Sequence, residues 1–310
     1  MAEMKDRFVR FDWAIKRLLR QKANFGVLEG FLTVFLGEKV TIVDIIESES
    51  NQQDEFDKFN RVDIKARNSK GEIIIVEVQN TSEVFYLERI LYGVAKAITE
   101  HISPGDDYGE VKKVYFISVL YFDLGEGDDY LYKGQTSFFG IHTNDELKIT
   151  TRQRDAIVRK APEEIFPTYY LIRVNNFDRV AVSPMEEWMR YLKKGEISAD
   201  AKAPGLQEAR EKLLYYQMDP AERHAYDEHL NAVMIQNDVL GNARAEGLAE
   251  GRAEGRIEGR AEGKAEGLAE GKTSQQMLTA RTMLSDGMSI DLVAKYTGLT
   301  KSQIEAFAAE

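Results

Sequence analysis

The stretch RVDIKARNSKGEIIIVEVQN, residues 61–80, constrains the fold more than any other part of the chain. Two segments that read as buried β-strands flank a polar turn, the pattern of an antiparallel hairpin, yet they carry an aspartate, a glutamate and a glutamine. Alternation along a strand puts Arg61, Asp63 and Lys65 on one face and Val62, Ile64 and Ala66 on the other. On the second strand Ile73, Ile75, Glu77 and Gln79 share a face. Opposed residues in an antiparallel pair keep a constant sum of residue numbers. If Asp63 faces Glu77, Arg67 must face Ile73 around an odd-length loop, and both acids then lie on one face. A four-residue loop, with Ala66 opposite Gly71, would send them to opposite sides.

Two carboxylates a few ångströms apart repel each other, and the repulsion raises a carboxylate pKa unless a cation is bound. Magnesium takes oxygen ligands, usually one or two carboxylates with several waters and substrate phosphate, which suits Asp63, Glu77 and the carbonyl of Val78. Such an ion could activate water for attack on phosphorus. Polar residues on the wet face of a half-exposed strand are the other reading of the same pattern.

Along the rest of the chain, Phe11, Ile15, Leu18 and Leu19 have helical spacing, and NFGVLEGFLTVFLG predicts a second helix ending at Gly37. KVTIVDII predicts a strand, 84–102 a long helix, and VKKVYFISVLYF a central strand, with further strands at TSFFGIHT and PTYYLIRV. The order is a mixed α/β domain over residues 1–185, followed by a helical region over 186–240. Asp219, Pro220 and Glu222 form a helix start. With 310 residues, 43% of them hydrophobic, the chain can bury a sizeable core. It has no cysteine and only 4 histidines, which excludes disulfides and thiolate zinc and leaves carboxylates as the main metal ligands. No apolar run approaches the ~20 residues of a membrane span, so a cytosolic protein with no membrane partner is expected. The net charge of -11 disfavours a surface coated for nucleic acid, although Lys5, Arg7, Arg10, Lys16, Arg17, Arg20 and Lys22 concentrate positive charge near the start.

Asp63 followed by the E-x-Q tripeptide Glu77-Val78-Gln79, with FDWAIKRLL before it and YLERILYGVAKAI, the EGxx repeats and GMSIDLVAKYTGLTKSQIEAF after it, resembles the recombination-promoting nucleases, the PD-(D/E)xK nuclease family transposases. The resemblance implies a restriction-endonuclease-like αβββαβ core with extra strands and an all-α C-terminal region. It also implies a magnesium-dependent DNA endonuclease. In that reading Asp63 and Glu77 hold the metal, and Gln79 stands where many relatives have lysine. Glutamine supplies no charge but can orient water or phosphate. Lys65, on the Asp63 face, is the expected source of the missing charge, and Glu29, with Asp12 behind it, the expected first-helix acid. Arg89 and Tyr92 lie one helical turn apart and could approach phosphate. A binding protein on the same fold, catalytically weak or inactive, is the rival expectation.

Residues 241–272 repeat glycine every fourth position from Gly247 to Gly271, each preceded by glutamate. A four-residue period advances by about 40° per step on a helix, and it stacks like charges at i, i+4. A lone helix is therefore expected to be poor, and the segment is expected to pair between chains as a homo-oligomer arm. In 273–310, Ser289 and Thr300 as caps and Thr297-Gly298 as a turn outline a helix-turn-helix, whose sparse positive charge favours docking over DNA reading.

Overall fold

A computed structural model of the chain describes residues 7–17, 21–46, 63–153 and 156–308. Lys5, Leu18, Leu19, Arg20, Arg61 and Val62 lie outside the described residues. The chain divides into two compact units, Met1–Asn231 and Ala232–Glu310. The first begins with helices α1 (Phe11–Arg17) and α2 (Phe25–Leu36) and strands β1 (Ile42–Ile46), β2 (Ile64–Asn68) and β3 (Ile73–Gln79). Helix α3 (Tyr86–Thr99) and strand β4 (Val114–Leu120) complete the αβββαβ core. Then follow β5 (Leu131–Gly134), a two-stranded ribbon of β6 (Ile149–Gln153) and β7 (Ala156–Lys160), β8 (Thr168–Arg173), α4 (Pro184–Lys194) and α5 (Leu206–Lys212).

The six-stranded sheet has the order β1-β2-β3-β4-β8-β5, with β3, β4 and β8 parallel and the outer pairs antiparallel. Strands β3 and β4 are apolar on both faces because helices cover both. Ile74, Val76, Val78, Ile117 and Val119 face α1, α2, α4 and α5, around Phe11, Phe31 and Trp188. Ile73, Ile75, Val114 and Phe116 face α3. Gly30 in α2 lies against Gly205, where the backbone takes φ 81° before α5; a Cβ on Gly30 would stand 2.4 Å from the Gly205 backbone.

Three expectations change. The segment 136–143 is not a strand: it forms one isolated bridge, Phe139 to Glu146, in a loop turned at Asn144 with φ 55°. Its aromatic content has no neighbouring strand to pair with, and β propensity alone is weak. The expected border at residue 185 is not where the first core ends, since Trp188, Met189, Leu206, Leu213 and Tyr226 all belong to it. The repeat, expected to be a poor lone helix, lies within one continuous helix, α6 (Pro220–Ser285). Alanine, glutamate, arginine and lysine fill most of the other repeat positions, and their helix preference offsets the glycines. Asp219 caps the start of α6, its Oδ1 accepting from the N–H groups of Ala221 (2.8 Å) and Glu222 (2.9 Å).

In the second unit, α6 is followed by α7 (Ile290–Thr297) and α8 (Lys301–Ala308). Ala280, Val293, Leu299 and Ile304 form a small core. Gly298 turns the chain at φ 75°, and Thr300 caps α8 through Gln303. Ser289 sits at the cap position of α7, but its side chain makes no capping bond.

The same substitution should act with opposite sign in the two units. Gly30→Ala forces α2 away from α5 and should cost on the order of 1–3 kcal/mol in urea unfolding. Gly255→Ala, where nothing lies within 4 Å of the added Cβ, should raise helicity by circular dichroism, with about 1 kcal/mol in favour of the helix.

Candidate active site

Strands β2 and β3 pair Ile64 with Val76, Lys65 with Ile75, Ala66 with Ile74 and Arg67 with Ile73. This is the odd-loop register. The turn closes through Gly71 N–H on the Asn68 carbonyl (2.9 Å) and Asn68 N–H on the Glu72 carbonyl (3.1 Å), with Gly71 at φ 78°. One step beyond Ile64–Val76 the register sets Asp63 against Glu77, on the face that α3 covers. The acids are therefore under a helix instead of on a wet strand face. Glu77 is 2% exposed.

Each acid meets a cation from a different helix. Asp63 Oδ2 accepts the Val78 N–H at 2.7 Å, and its Oδ1 lies 3.5 Å from Lys16 Nζ of α1. Arg89, in the first turns of α3, places Nη2 2.5 Å from Glu77 Oε1 and Nη1 2.6 Å from Glu83 Oε2. The Arg89 contact is an ion pair without an aligned hydrogen bond, so neither Glu77 oxygen has a hydrogen-bond donor among the described residues. Ser118 Oγ and Tyr86 Oη are buried as well, close to each other. Ser118 is the β4 partner of Glu77, and the Glu77 charge acts on the Tyr86 hydroxyl, so these polar atoms gather at one place. A cluster of buried oxygens of this kind suits a hard divalent ion or bound water.

Burial raises the Glu77 carboxyl to about 7; Arg89 pulls it down, and the Asp63 charge pushes it up again. Burial also raises the Tyr86 hydroxyl, and Glu77 adds to the effect.

Of the other expected residues, Val78 is buried beside Asp63, and Gln79 is half-buried at the end of β3, its backbone carbonyl accepting from Tyr121 N–H at 2.9 Å. Lys65 does not turn to Asp63: its Nζ is 2.5 Å from Glu100 Oε2 at the end of α3. Glu29 lies elsewhere. Its Oε1 accepts the Ile42 N–H at 2.7 Å, and Ile42 pairs with Asn68 at the hairpin-loop end of β2. That is five residues from Asp63, about 17 Å along a strand. Tyr92 is on the outer side of α3, partly exposed.

Asp12 is the first-helix acid that comes close, but it is spent on structure. Fully buried, it accepts from Arg10 (3.0 and 3.2 Å), Trp13 N–H (3.0 Å) and Asn80 Nδ2 (3.1 Å), and lies 3.0 Å from His229 Nε2. Burial would raise its pKa, but the His229 hydrogen bond and the Arg10 charge hold it below the usual carboxylate range. The network fastens α1 to the residue after Gln79 and to the start of α6. Lys16 is the residue that sequence reasoning missed as a site residue; its position one helical turn from Asp12 was the available signal.

Among the described residues no three histidine, cysteine, aspartate or glutamate side chains gather to hold a metal. The available donors are two carboxylates with backbone and hydroxyl oxygens.

A carboxyl whose folded pKa lies above its unfolded value leaves stability intact at low pH and removes it as pH rises through the folded value. For Glu77 the loss falls between about 4.5 and about 7. Glu77→Gln should therefore stabilise the protein at pH 8, by up to about 3 kcal/mol for a shift of this size, and have little effect at pH 4; thermal unfolding across pH checks it.

Residues 9–150 match the model described as PD-(D/E)XK nuclease family transposase, and residues 276–308 match the C-terminal HTH domain of the Rpn/YhgA-like nuclease family. No curated protein and no solved structure gives a match. The first match contains Asp63, Glu77, Gln79 and Arg89, and the second takes in the end of α6 with α7 and α8. With a nuclease-family domain followed by that family's own C-terminal helix-turn-helix, the chain belongs to the recombination-promoting nuclease family.

Proposed function

We propose that the protein is a magnesium-dependent DNA endonuclease that hydrolyses phosphodiester bonds and promotes recombination by creating DNA breaks. The observation that carries the reading is Glu77: a buried carboxylate, with a hydrogen-bond donor at neither oxygen among the described residues, facing Asp63 at the end of a hairpin. An unsatisfied buried acid is costly to a fold, and proteins keep such groups where function needs them. The family supports a nuclease, and the nuclease and helix-turn-helix domains point to DNA as the partner.

Asp63, Glu77 and the Val78 carbonyl would hold the ion. Magnesium supplies Lewis-acid stabilisation of charge on phosphate oxygens and lowers the pKa of bound water. Gln79 orients the attacking water or a phosphate oxygen through its amide. The charge that lysine carries in many relatives comes from Arg89 instead of Lys65, because Arg89 is already beside Glu77 and its fork matches phosphate oxygens. Glu83 offers the guanidinium a second acid when Glu77 is taken by the ion. Lys16 acts in the same way at Asp63. Self-association through the α6 repeat is part of the reading, and a strictly monomeric full-length protein in light scattering would remove that part.

The test is nicking of supercoiled plasmid by purified protein with magnesium. Cleavage should disappear with EDTA and fall by roughly two orders of magnitude or more in Asp63→Ala and Glu77→Ala. Arg89→Ala should lose activity and also weaken plasmid binding in calcium, with the salt slope reduced by about 1, while Lys65→Ala cleaves normally. An inert wild type, or cleavage unchanged in both acid variants, would overturn the proposal.

A further inference from the structure

Positive charge is unevenly spread along a chain whose net charge is -11. In the basic stretch near the start, Arg7, Arg10 and Lys16 each have an acid close by, at 3.6 Å (Asp227), 3.0 Å (Asp12) and 3.5 Å (Asp63). Between Gly247 and Lys272 every arginine or lysine follows a glutamate by two residues. The β6–β7 ribbon is different: from 148 to 160 it carries Lys148, Arg152, Arg154, Arg159 and Lys160 against Asp155 alone. Acids return at its base, where Glu146 accepts from Ser137 Oγ (3.1 Å) and Glu164 from the Ala161 N–H (3.0 Å).

Register sorts these charges. Strands β6 and β7 pair antiparallel, Thr150 with Arg159 and Arg152 with Ile157, and paired residues share a face of the ribbon. Alternation adds Lys148 to the face of Thr150, Arg152 and Arg159; Ile149, Thr151, Val158 and Lys160 fall on the other. Three cations therefore share one face, spread over about 14 Å at ~3.4 Å per residue. Duplex DNA carries a phosphate every ~3.4 Å along each strand, and its major groove, ~12 Å wide, admits a two-stranded ribbon. The deep, narrow major groove of A-form RNA does not. Strand β7 leads into β8 at Thr168, which is level with Tyr115 and Ile74. The ribbon thus joins the sheet at the hairpin-loop end of β3, not at the Gln79 end.

We propose that the β6–β7 ribbon is a DNA anchor that docks in the major groove of duplex DNA through the face carrying Lys148, Arg152 and Arg159. It supplies the local basic surface that an acidic chain needs to hold a polyanion, since repulsion by the rest of the chain is screened beyond about 8 Å at physiological salt. The anchor rests on DNA being the partner, but not on cleavage, because it stands apart from Asp63 and Glu77.

Binding of a fluorescent DNA duplex by full-length protein is followed by anisotropy in EDTA across a salt series. The pair Arg152→Gln with Arg159→Gln should weaken binding roughly tenfold or more and lower the salt slope by about 2. The same charge change in α6, Arg256→Gln with Arg260→Gln, should do neither. Thr150→Arg, which adds a cation to the proposed face, should tighten binding and raise the slope by about 1, whereas Thr151→Arg on the other face should not. An RNA duplex of the same sequence should bind more weakly than the DNA. Absence of DNA binding, equal losses in the ribbon and α6 pairs, equal effects at 150 and 151, or RNA bound as tightly as DNA would overturn the anchor. Plasmid nicking is scored separately. A chain that nicks but binds DNA independently of the ribbon overturns the anchor alone, and one that binds through the ribbon without nicking overturns the nuclease reading alone.

Discussion

A three-residue loop at Ser69, Lys70 and Gly71 fixes which way the β2 and β3 side chains point, and the candidate site depends on that choice. Side chains alternate with period two, so one residue more or fewer in the turn would put Asp63 and Glu77 on opposite faces. The loop can be this short because Gly71 takes a left-handed conformation and because Asn68 Oδ1 accepts the N–H groups of Lys70 (3.0 Å) and Glu72 (2.9 Å). Local turn chemistry thereby decides the placement of two acids at the far end of the strands.

Two buried carboxylates near the end of β3 have opposite fates. Asp12 is surrounded by donors from Arg10, Trp13, Asn80 and His229, and these hold it ionised. Glu77 is equally buried, is paired with Arg89 but has no aligned donor among the described residues, and its acidity is weakened accordingly. A satisfied buried charge fastens elements together, and an unsatisfied one is a cost the fold carries for another purpose. The division also explains why Asp12, although on the first helix and near the site, is poorly suited to a ligand role.

The two units are built on different principles. In the first, glycine allows close approach, as Gly30 and Gly205 do between α2 and α5. In the α6 repeat each glycine is surrounded by open space, so its cost is met by the helix preference of its neighbours in sequence. Helix α3 combines both situations, with one apolar face on the sheet and a second turned outward.

Much of this was legible in the chain before folding. The αβββαβ order, the central position of β4 and the caps at Asp219 and Thr300 follow from period and turn residues, which are local properties of the backbone, while the hairpin left two registers open and the structure takes the one that sets Asp63 against Glu77. Extension of the first core to Tyr226, the loop at 136–143, the seat of Glu29 at the loop end of the sheet and the pairing of Lys65 with Glu100 were not legible. Neither was the arrival of Lys16 and Arg89 at the acids. Each of these depends on contact between residues far apart in the chain, and no periodicity records which of several cations a packed helix will bring to a buried carboxylate. Residue order alone set the alternation, which ties each acid to one face of its own strand, because period two is a property of the extended backbone; the folded chain chose the register that brings the two acids together and supplied what surrounds them, because pairing, burial and counter-charge are properties of the assembled layers.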